Sequence, residues 1–184
     1  MAKKSALMNG NNNRSKKIFR KLGKREKAIG IVVLAALLVG GWLPGRLAVS
    51  TSPSLQHRIF FLSQVKTENI NNGDYLVIQH TDGSSPFVRK GIKPDNNRLI
   101  KQVGCAPGMR LRRDMDRQFF CEDKLIGKAL IKDSKGHLLP EFHFGGIVPD
   151  NSFFVVGSNP RSFDSKYFGF VHADDILYKA LPLW

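Results

Sequence analysis

The chain has 184 residues, of which 42% are hydrophobic and 24% are charged. That length is enough for one globular domain with a packed core, and the hydrophobic content excludes a wholly disordered chain. The formal net charge is +14, but residues 1–30 carry +9 of it, with ten Lys or Arg against one acid. Because most of the positive charge lies at one end, a uniformly basic nucleic-acid-binding domain is disfavoured.

The N-terminal part of the chain combines a basic segment with an apolar one. Residues 1–27 are rich in Lys, Arg and Asn and have few bulky apolar side chains, so we expect a basic tail without a core. Residues 28–43 carry no charge, and extension to residue 49 gives 22 residues with a single interruption at Pro44–Arg46. A helix that crosses a bilayer needs roughly 17–25 residues, because the hydrocarbon core is about 30 Å thick. Residues 28–49 are therefore long enough to cross a membrane.

Three interpretations of this apolar segment are open. A buried core helix is disfavoured by the ten basic residues directly upstream. A cleavable secretory signal is the second, because Ala48-Val49-Ser50 loosely fits a small-residue cleavage site. The third, which we favour, is an uncleaved anchor whose basic side stays in the cytoplasm by the positive-inside rule. In the second and third interpretations, residues 50–184 lie outside the cytoplasm.

Beyond the apolar segment the pattern is typical of strands. Turn clusters such as Asn71-Asn72-Gly73-Asp74 alternate with short apolar runs, which lie at Tyr75–Ile78, Leu99–Val103, Leu125–Ile131 and Phe153–Val156. No helical periodicity of convincing length occurs after the apolar segment. The sequence therefore predicts a mainly β domain over residues 50–184, a twisted antiparallel sheet with irregular loops.

Two cysteines lie in this domain. Cys105 and Cys121 have 15 residues between them. In an oxidising compartment such a pair closes a disulfide, which stabilises a fold by about 3 kcal/mol in the chain-entropy model. An exported domain with an even number of cysteines favours the bond, and the alternative is two unrelated buried thiols.

Two clusters of reactive side chains do not support sites of their own. His137, Glu141 and His143 lie close together, but no Cys partner or helical HExxH spacing joins them. Ser63 and Lys66 form a Ser-x-x-Lys pattern, but the companion motifs of penicillin-recognising enzymes are absent from the sequence. We expect loop residues in the first case and a chance match in the second. No metal ion or organic cofactor is predicted.

A serine and a lysine can form a hydrolytic site without a metal or cofactor. The serine hydroxyl is a weak nucleophile until a base removes its proton. Lysine can be that base when burial lowers its pKa from about 10.4 towards neutrality, at about 1.4 kcal/mol for each pKa unit. Spacing alone does not identify such a pair, so its identification depends on longer sequence blocks.

Three such blocks follow the apolar segment. They are STSPSLQHRIF at residues 50–60, LIKQVGCAPG at residues 99–108 and GSNPRSFDSKYFG at residues 157–169. In this order, with the closing ALPLW, they resemble the nucleophile, general-base and C-terminal boxes of the type I signal peptidase superfamily. The resemblance runs from about Ala28 to Trp184 and is strongest to the TraF-type branch, the pilin-maturation signal peptidases of conjugative transfer. It implies a signal-peptidase-type antiparallel β-domain behind a single N-terminal transmembrane helix.

The resemblance also implies roles for individual residues by their position. Ser54 is the implied nucleophile, and Lys101 is the implied general base. Ser52 matches the position whose side chain donates to the oxyanion beside the Ser54 backbone N–H. Ser162 matches the residue that hydrogen-bonds the lysine amine and orients it, as a carboxylate orients a catalytic histidine.

The sequence departs from the family pattern at three positions. Gln56 and Arg58 stand where a proline and a glycine usually follow the nucleophile. Lys166, the implied partner of Asp164 in a supporting ion pair, stands where arginine is common, which keeps the charge but loses the bidentate geometry. These changes bear on the conformation of the nucleophile loop, and they do not remove a reactive atom.

These features together predict a membrane-anchored serine endopeptidase at the bacterial inner membrane, with a cytoplasmic N-terminus and a periplasmic catalytic domain. The resemblance implies a propilin or another exported precursor as substrate, with alanine-like side chains before the cleaved bond, and the conjugative transfer machinery as a further partner. It also implies acyl transfer to the pilin's own amino terminus as a route to a cyclic product. The alternative is a catalytically silent assembly module, which residues 56 and 58 favour. No nucleic-acid partner is expected, because topology and anionic lipid already explain the basic tail.

Overall fold

The computed structural model describes residues 23–51, 53–79 and 98–184. The chain divides into two compact units, Met1–Trp42 and Leu43–Trp184. Most of the predicted basic tail lies outside the described residues, and so does Ser52.

The described part of the first unit is one helix, α1 (Lys24–Trp42). Its large apolar side chains between Ile29 and Leu38 are 52–68% exposed, so they do not belong to the core of the described residues. The first four positions of the helix, residues 24–27, are all charged. Among the described residues, no helix has both the length and the uncharged apolar character that crossing a membrane requires.

Helix α1 ends before residue 49, where the predicted anchor ends. Pro44 cannot continue a helix, because it has no backbone N–H and its ring clashes with the preceding turn. The chain passes instead through a 3₁₀ turn at Pro44–Arg46. Leu47–Val49 then form a strand, β1, which pairs with residues Ile59–Phe61. The helical part of the predicted anchor is therefore shorter than the sequence indicates.

The second unit is built mainly from strands. After β1 come, in chain order, β2 (Ile59–Ser63), β3 (Tyr75–Gln79), β4 (Arg98–Cys105), β5 (Arg110–Arg113), β6 (Gln118–Cys121), β7 (Lys124–Lys128), β8 (Gly146–Ile147), β9 (Ser152–Val156), β10 (Val171–His172) and β11 (Ile176–Pro182). They form a seven-stranded sheet of order β1-β2-β11-β3-β4-β9-β10 and a four-stranded sheet of order β7-β6-β5-β8. Every pairing between these strands is antiparallel. The predicted mainly β, antiparallel fold is confirmed.

Strand β9 shows why the apolar runs of the sequence become strands. All five of its residues are buried, because successive side chains point to opposite faces and both faces are covered. Phe153 and Val155 pack into one apolar cluster with Leu76. Phe154 and Val156 pack into a second cluster on the other side. The strand therefore separates two parts of the core.

The two cysteines are joined in the structure. The Cys105–Cys121 disulfide has an S–S distance of 2.02 Å and a Cα–Cα distance of 5.3 Å. Cys105 ends β4 in the larger sheet, and Cys121 ends β6 in the smaller one. The bond that the sequence predicts therefore connects the two sheets.

Two local features differ from the sequence prediction. The apolar run Leu125–Ile131 forms a strand only as far as Lys128. A four-residue helix, α2 (Ser165–Phe168), occurs where no helical periodicity is visible, and the Asp164 side chain caps it by accepting from the Lys166 backbone N–H. A helix this short depends on its cap and its surroundings rather than on an apolar repeat. Further 3₁₀ turns lie at Thr67–Asn69 and Ala173–Asp175.

Candidate active site

Lys101 is a buried amine in the middle of the larger sheet. It lies on β4 opposite Leu76 of β3, and only 4% of it is exposed. Its Nζ donates a hydrogen bond of 2.8 Å to the Ser162 hydroxyl. Burial lowers the pKa of Lys101 from 10.5 to about 8, while Asp164 acts to raise it and Lys166 to lower it. The amine is therefore much easier to deprotonate than an ordinary lysine.

The loop that carries Ser54 is held by its backbone and by one apolar side chain. The Ser54 carbonyl oxygen accepts from the Asn159 backbone N–H at 3.2 Å and from the Ser158 hydroxyl at 3.4 Å. The next residue, Leu55, is buried in an apolar cluster with Phe60. These contacts fix the loop although its residues are outside the regular strands.

The two unusual residues of this loop need no special backbone conformation. Neither Gln56 nor Arg58 has a positive φ, so the position that is usually glycine does not require glycine here. The Arg58 backbone N–H donates to the Trp184 carbonyl oxygen at 2.5 Å, and its own carbonyl oxygen accepts from the Ser50 N–H at 2.8 Å. The loop therefore leaves its turn directly into the edge of the sheet.

Gly157 lies where the loop of Ser54 and the loop of Ser162 come close to each other. A Cβ atom placed on it would lie 2.1 Å from the Ser162 hydroxyl oxygen and 2.7 Å from the Ser54 carbonyl oxygen. Both distances are far below van der Waals contact, and the second involves backbone. The absence of a side chain at Gly157 therefore lets the Ser54 loop and the Ser162 loop approach each other.

A buried ion pair between Asp164 and Lys166 contacts Gly157 as well. The Lys166 amine donates to both carboxylate oxygens of Asp164, each at 2.7 Å, and the two residues are 2% and 0% exposed. Asp164 also accepts from the Gly157 backbone N–H at 2.9 Å. The pair therefore ties helix α2 to the segment that passes between Ser54 and Ser162.

Three of the predicted site residues line one cavity. It has a volume of about 520 Å³, and Ser54, Lys101 and Ser162 all border it. Apolar and aromatic side chains also border the cavity, among them Leu99, Leu130, Leu139, Phe163 and Tyr167. A larger cavity of about 880 Å³ is bordered by neither Ser54 nor Lys101. Ser52 lies outside the described residues, so its role stays a prediction.

The two clusters of reactive side chains that the sequence does not predict to be sites make other contacts. The Glu141 carboxylate accepts from Arg113 and pairs with Arg117 at 3.3 Å, while His137 contacts Asp133 at 3.0 Å. In the part of the chain that the structure describes, no group of three metal-ligating side chains occurs. The Ser63 hydroxyl donates to a backbone carbonyl, and Lys66 is exposed.

Asn159 and Gly157 are the site residues that sequence reasoning missed. Both lie inside the third sequence block, which marks the region but does not say which of its residues contact the nucleophile loop. The arrangement of the site offers a buried amine of lowered pKa, a hydroxyl that orients it, and a second serine on the same cavity. Such a set is suited to general-base activation of a serine hydroxyl.

The chain is similar to several known proteins. Residues 22–184 match the family described as "Signal peptidase, peptidase S26". Two similar proteins are each named "Conjugal transfer protein TraF". The one from Agrobacterium tumefaciens (strain 15955) is 30% identical over 97 residues, which are 51% of this chain and 51% of that protein. The one from Agrobacterium fabrum (strain C58) is 24% identical over 165 residues, which are 84% of this chain and 90% of that protein.

A solved structure is also similar to this chain. It is a signal peptidase I from Enterococcus faecalis V583, which is 22% identical, with a TM-score of 0.35 and coverage of 62% of this chain and 96% of that one. The match to the TraF protein of strain 15955 spans about half the length of that relative. The family match covers nearly the whole chain, and the protein therefore belongs to the signal peptidase family, peptidase S26.

Proposed function

We propose that the protein is a serine endopeptidase in which Ser54 is the nucleophile and Lys101 is the general base. The observation that carries the proposal is the burial of the Lys101 amine, which the Ser162 hydroxyl orients on the same cavity as Ser54. A buried amine without a function is an unfavourable feature of a core, because burial disfavours its charged form. Membership of the peptidase family supports the same assignment.

The chemistry divides into two proton transfers and one covalent intermediate. Neutral Lys101 takes the proton of Ser54 as the serine oxygen attacks the substrate carbonyl carbon. The resulting ammonium then gives that proton to the leaving amine, which leaves an ester on Ser54. The Ser54 backbone N–H and, in this proposal, the Ser52 hydroxyl donate to the oxyanion. One such donor typically contributes about 2.7–4 kcal/mol to lowering the barrier.

The ester can be resolved by either of two acceptors. Water, deprotonated by Lys101, gives a linear product and restores the serine. The amino terminus of the same substrate gives a cyclic product, which is lighter than the linear one by one water molecule. Intact-mass measurement of the product therefore separates hydrolysis from acyl transfer.

The proposed substrate is a propilin or another exported precursor of a conjugative transfer system. The names of the two TraF relatives support this choice. The expected side chains before the cleaved bond are small, as in alanine. The transfer machinery is the proposed setting of the reaction, and no nucleic-acid partner is part of it.

The proposed base predicts the pH dependence of cleavage. The pKa of Lys101 is about 8, so the fraction of neutral amine, and with it kcat/KM, rises with pH through about pH 8. Between pH 9 and pH 7 we expect kcat/KM to fall about tenfold, because a general base acts only when deprotonated. The measurement is cleavage of a quenched peptide by the detergent-solubilised protein. A rate that is independent of pH from 6 to 9 would exclude Lys101 as the base.

We also propose that the protein is anchored in the inner membrane through α1, with residues 50–184 in the periplasm. The large apolar side chains of α1 between Ile29 and Leu38 are exposed and follow the basic tail, as in an anchor that obeys the positive-inside rule. We expect the full chain to stay in the membrane fraction after alkaline carbonate extraction, and Leu34→Arg/Leu37→Arg to release it.

Orientation has its own measurement. Protease added to spheroplasts is expected to digest residues 50–184. Release of the wild-type chain by carbonate, or protection of the catalytic unit in intact spheroplasts, would contradict the proposed location.

A further inference from the structure

We propose that Asn159 is a positioning residue for the cleavage reaction, because it ties the loop of the nucleophile to the loop that orients the general base. This inference rests on the proposed Ser54 and Lys101 chemistry. It concerns the spacing between the two reacting groups rather than the groups themselves.

Asn159 makes four hydrogen bonds that divide evenly between the two loops. Towards the nucleophile, its backbone N–H donates to the Ser54 carbonyl oxygen at 3.2 Å, and its side-chain amide donates to the Pro53 carbonyl oxygen at 3.0 Å. Towards the base, its carbonyl oxygen accepts from the Ser162 N–H at 2.9 Å. Its side-chain oxygen accepts from the Arg161 N–H at 2.8 Å.

The contacts continue to the amine of the general base. The Ser162 backbone is held by Asn159, and the Ser162 hydroxyl accepts from Lys101 Nζ at 2.8 Å. A continuous series of hydrogen bonds therefore runs from the Ser54 backbone through Asn159 and Ser162 to Lys101. Reaction rates fall by as much as about 10²-fold when reacting groups move by 1 Å. A residue that sets this spacing therefore affects the rate more than it affects the fold.

The sequence of the nucleophile loop makes the two hydrogen bonds from Asn159 to Pro53 and Ser54 important for holding that loop in place. Residues 55–58, which follow the nucleophile, include neither a stiff proline nor a turn-forming glycine. Leu55 anchors the loop on its far side by burial in the core. On the near side, the two bonds from Asn159 to Pro53 and Ser54 hold the loop against Gly157.

Two substitutions separate the side-chain bond from Asn159 to Pro53 from the local bond between Asn159 and Arg161. Asn159→Asp keeps an oxygen for the Arg161 N–H but has no side-chain N–H for the Pro53 carbonyl oxygen. Asn159→Ala loses both side-chain bonds. We expect both variants to lower kcat by about tenfold or more, with KM within about twofold of wild type. In Asn159→Ala the apparent pKa of the pH profile stays near that of wild type, because the burial of Lys101 is unchanged. In Asn159→Asp the new carboxylate borders the same cavity as Lys101 and acts to raise that pKa, so kcat is compared on the alkaline plateau of each profile.

The assay uses the detergent-solubilised full chain and an internally quenched peptide with alanine at the first and third positions before the cleaved bond. Asn71→Ala is the matched control, because its side chain lies in an exposed turn before β3, and it is expected to keep the wild-type kcat. Urea unfolding of each variant shows whether a lower kcat is explained by a larger unfolded fraction of the protein.

Three results would overturn the inference. They are an Asn159→Asp variant with the wild-type kcat, a rise in KM that accounts for the whole loss, and a loss that follows the unfolded fraction. Ser54→Ala, measured on the same peptide, distinguishes this failure from failure of the proposed function. If Ser54→Ala is inactive and Asn159→Ala is fully active, only the positioning role is wrong. If Ser54→Ala retains activity, the catalytic assignment itself is wrong.

Discussion

Replacement of Lys101 by methionine is expected to lower kcat/KM by about 10²–10⁴-fold, the usual contribution of a general base. Methionine has a similar length and no amine, so it fills the space beside Leu76 without supplying a proton acceptor. The hydroxyl of Ser54 then stays protonated at neutral pH and attacks the substrate carbonyl slowly.

The same substitution is expected to stabilise the fold. A pKa lowered from 10.5 to about 8 corresponds to a cost of roughly 3 kcal/mol for keeping the amine charged inside the protein. Below pH 8 the amine is charged in both the folded and unfolded states, so the cost is complete. It fades between pH 8 and pH 10.5 and is absent above. The Ser162 hydroxyl loses its partner in the variant, which offsets about 1 kcal/mol.

Urea unfolding of the detergent-solubilised protein at pH 7 and pH 10.5 measures this balance. Lys101→Met is expected to be more stable than wild type by about 2 kcal/mol at pH 7, and to lose that advantage at pH 10.5. A variant that is less stable at pH 7 would show that the Lys101 amine is not a strained, desolvated group. A variant that keeps the wild-type kcat/KM would show that the amine is not the base.

Breaking the buried pair of Asp164 and Lys166 is expected to destabilise the fold by about 3–5 kcal/mol, because either single change leaves a buried charge without its partner. Lys166→Met leaves the Asp164 carboxylate, and Asp164→Asn leaves the Lys166 amine. The double variant removes both charges, so it is expected to lose less stability than the sum of the single changes.

A partly exposed pair of the same residue types is the matched control. Lys179 pairs with Asp74 at 2.6 Å, but their side chains are 25% and 22% exposed. Lys179→Met is therefore expected to cost less than about 1 kcal/mol. Equal losses for Lys166→Met and Lys179→Met in urea unfolding would contradict the proposed importance of burial.

The two single variants also shift the pH dependence of cleavage in opposite directions. The Asp164 charge raises the pKa of Lys101 and the Lys166 charge lowers it. In Asp164→Asn the pKa of Lys101 therefore falls and the rate profile moves to lower pH. In Lys166→Met the pKa rises and the profile moves to higher pH. Shifts in the same direction would show that the pair acts on Lys101 only through the fold.

The strands of the fold follow largely from the sequence. Runs such as Phe153–Val156 are buried on both faces, and continuous apolar runs between turn residues are typical of such strands. The order of the strands in the larger sheet does not follow from the sequence, because β11 at the end of the chain lies between β2 and β3. Pairings between residues so distant in the chain depend on packing that no local pattern encodes.

The site is predictable in part. The three sequence blocks point to Ser54, Lys101 and Ser162, and the structure brings these residues to one cavity. The close approach at Gly157 and the two hydrogen bonds from Asn159 to Pro53 and Ser54 are not visible in the sequence, since each depends on the position of a loop about a hundred residues away. The residue types at these positions fit many turns, and only the tertiary contacts give them a particular role.

The apolar helix is shorter in the structure than the sequence predicts, for a physical reason. Hydropathy alone extends the segment to residue 49, although Pro44 ends the helix and Leu47–Val49 pair with β2. A short apolar run fits a strand as well as a helix. The loop of Ser54 thus follows β1, a strand of the second unit, rather than the helix itself.

Processing of a co-expressed propilin in membranes, read by intact mass with wild type, Ser54→Ala and Lys101→Met, tests the proposed catalytic assignment most directly. We expect a cleaved product, linear or cyclic, with the wild-type chain, and unprocessed propilin with both variants although they are folded and membrane-bound. Normal processing by Ser54→Ala would contradict the catalytic assignment and would favour an assembly module that keeps the peptidase fold without its chemistry.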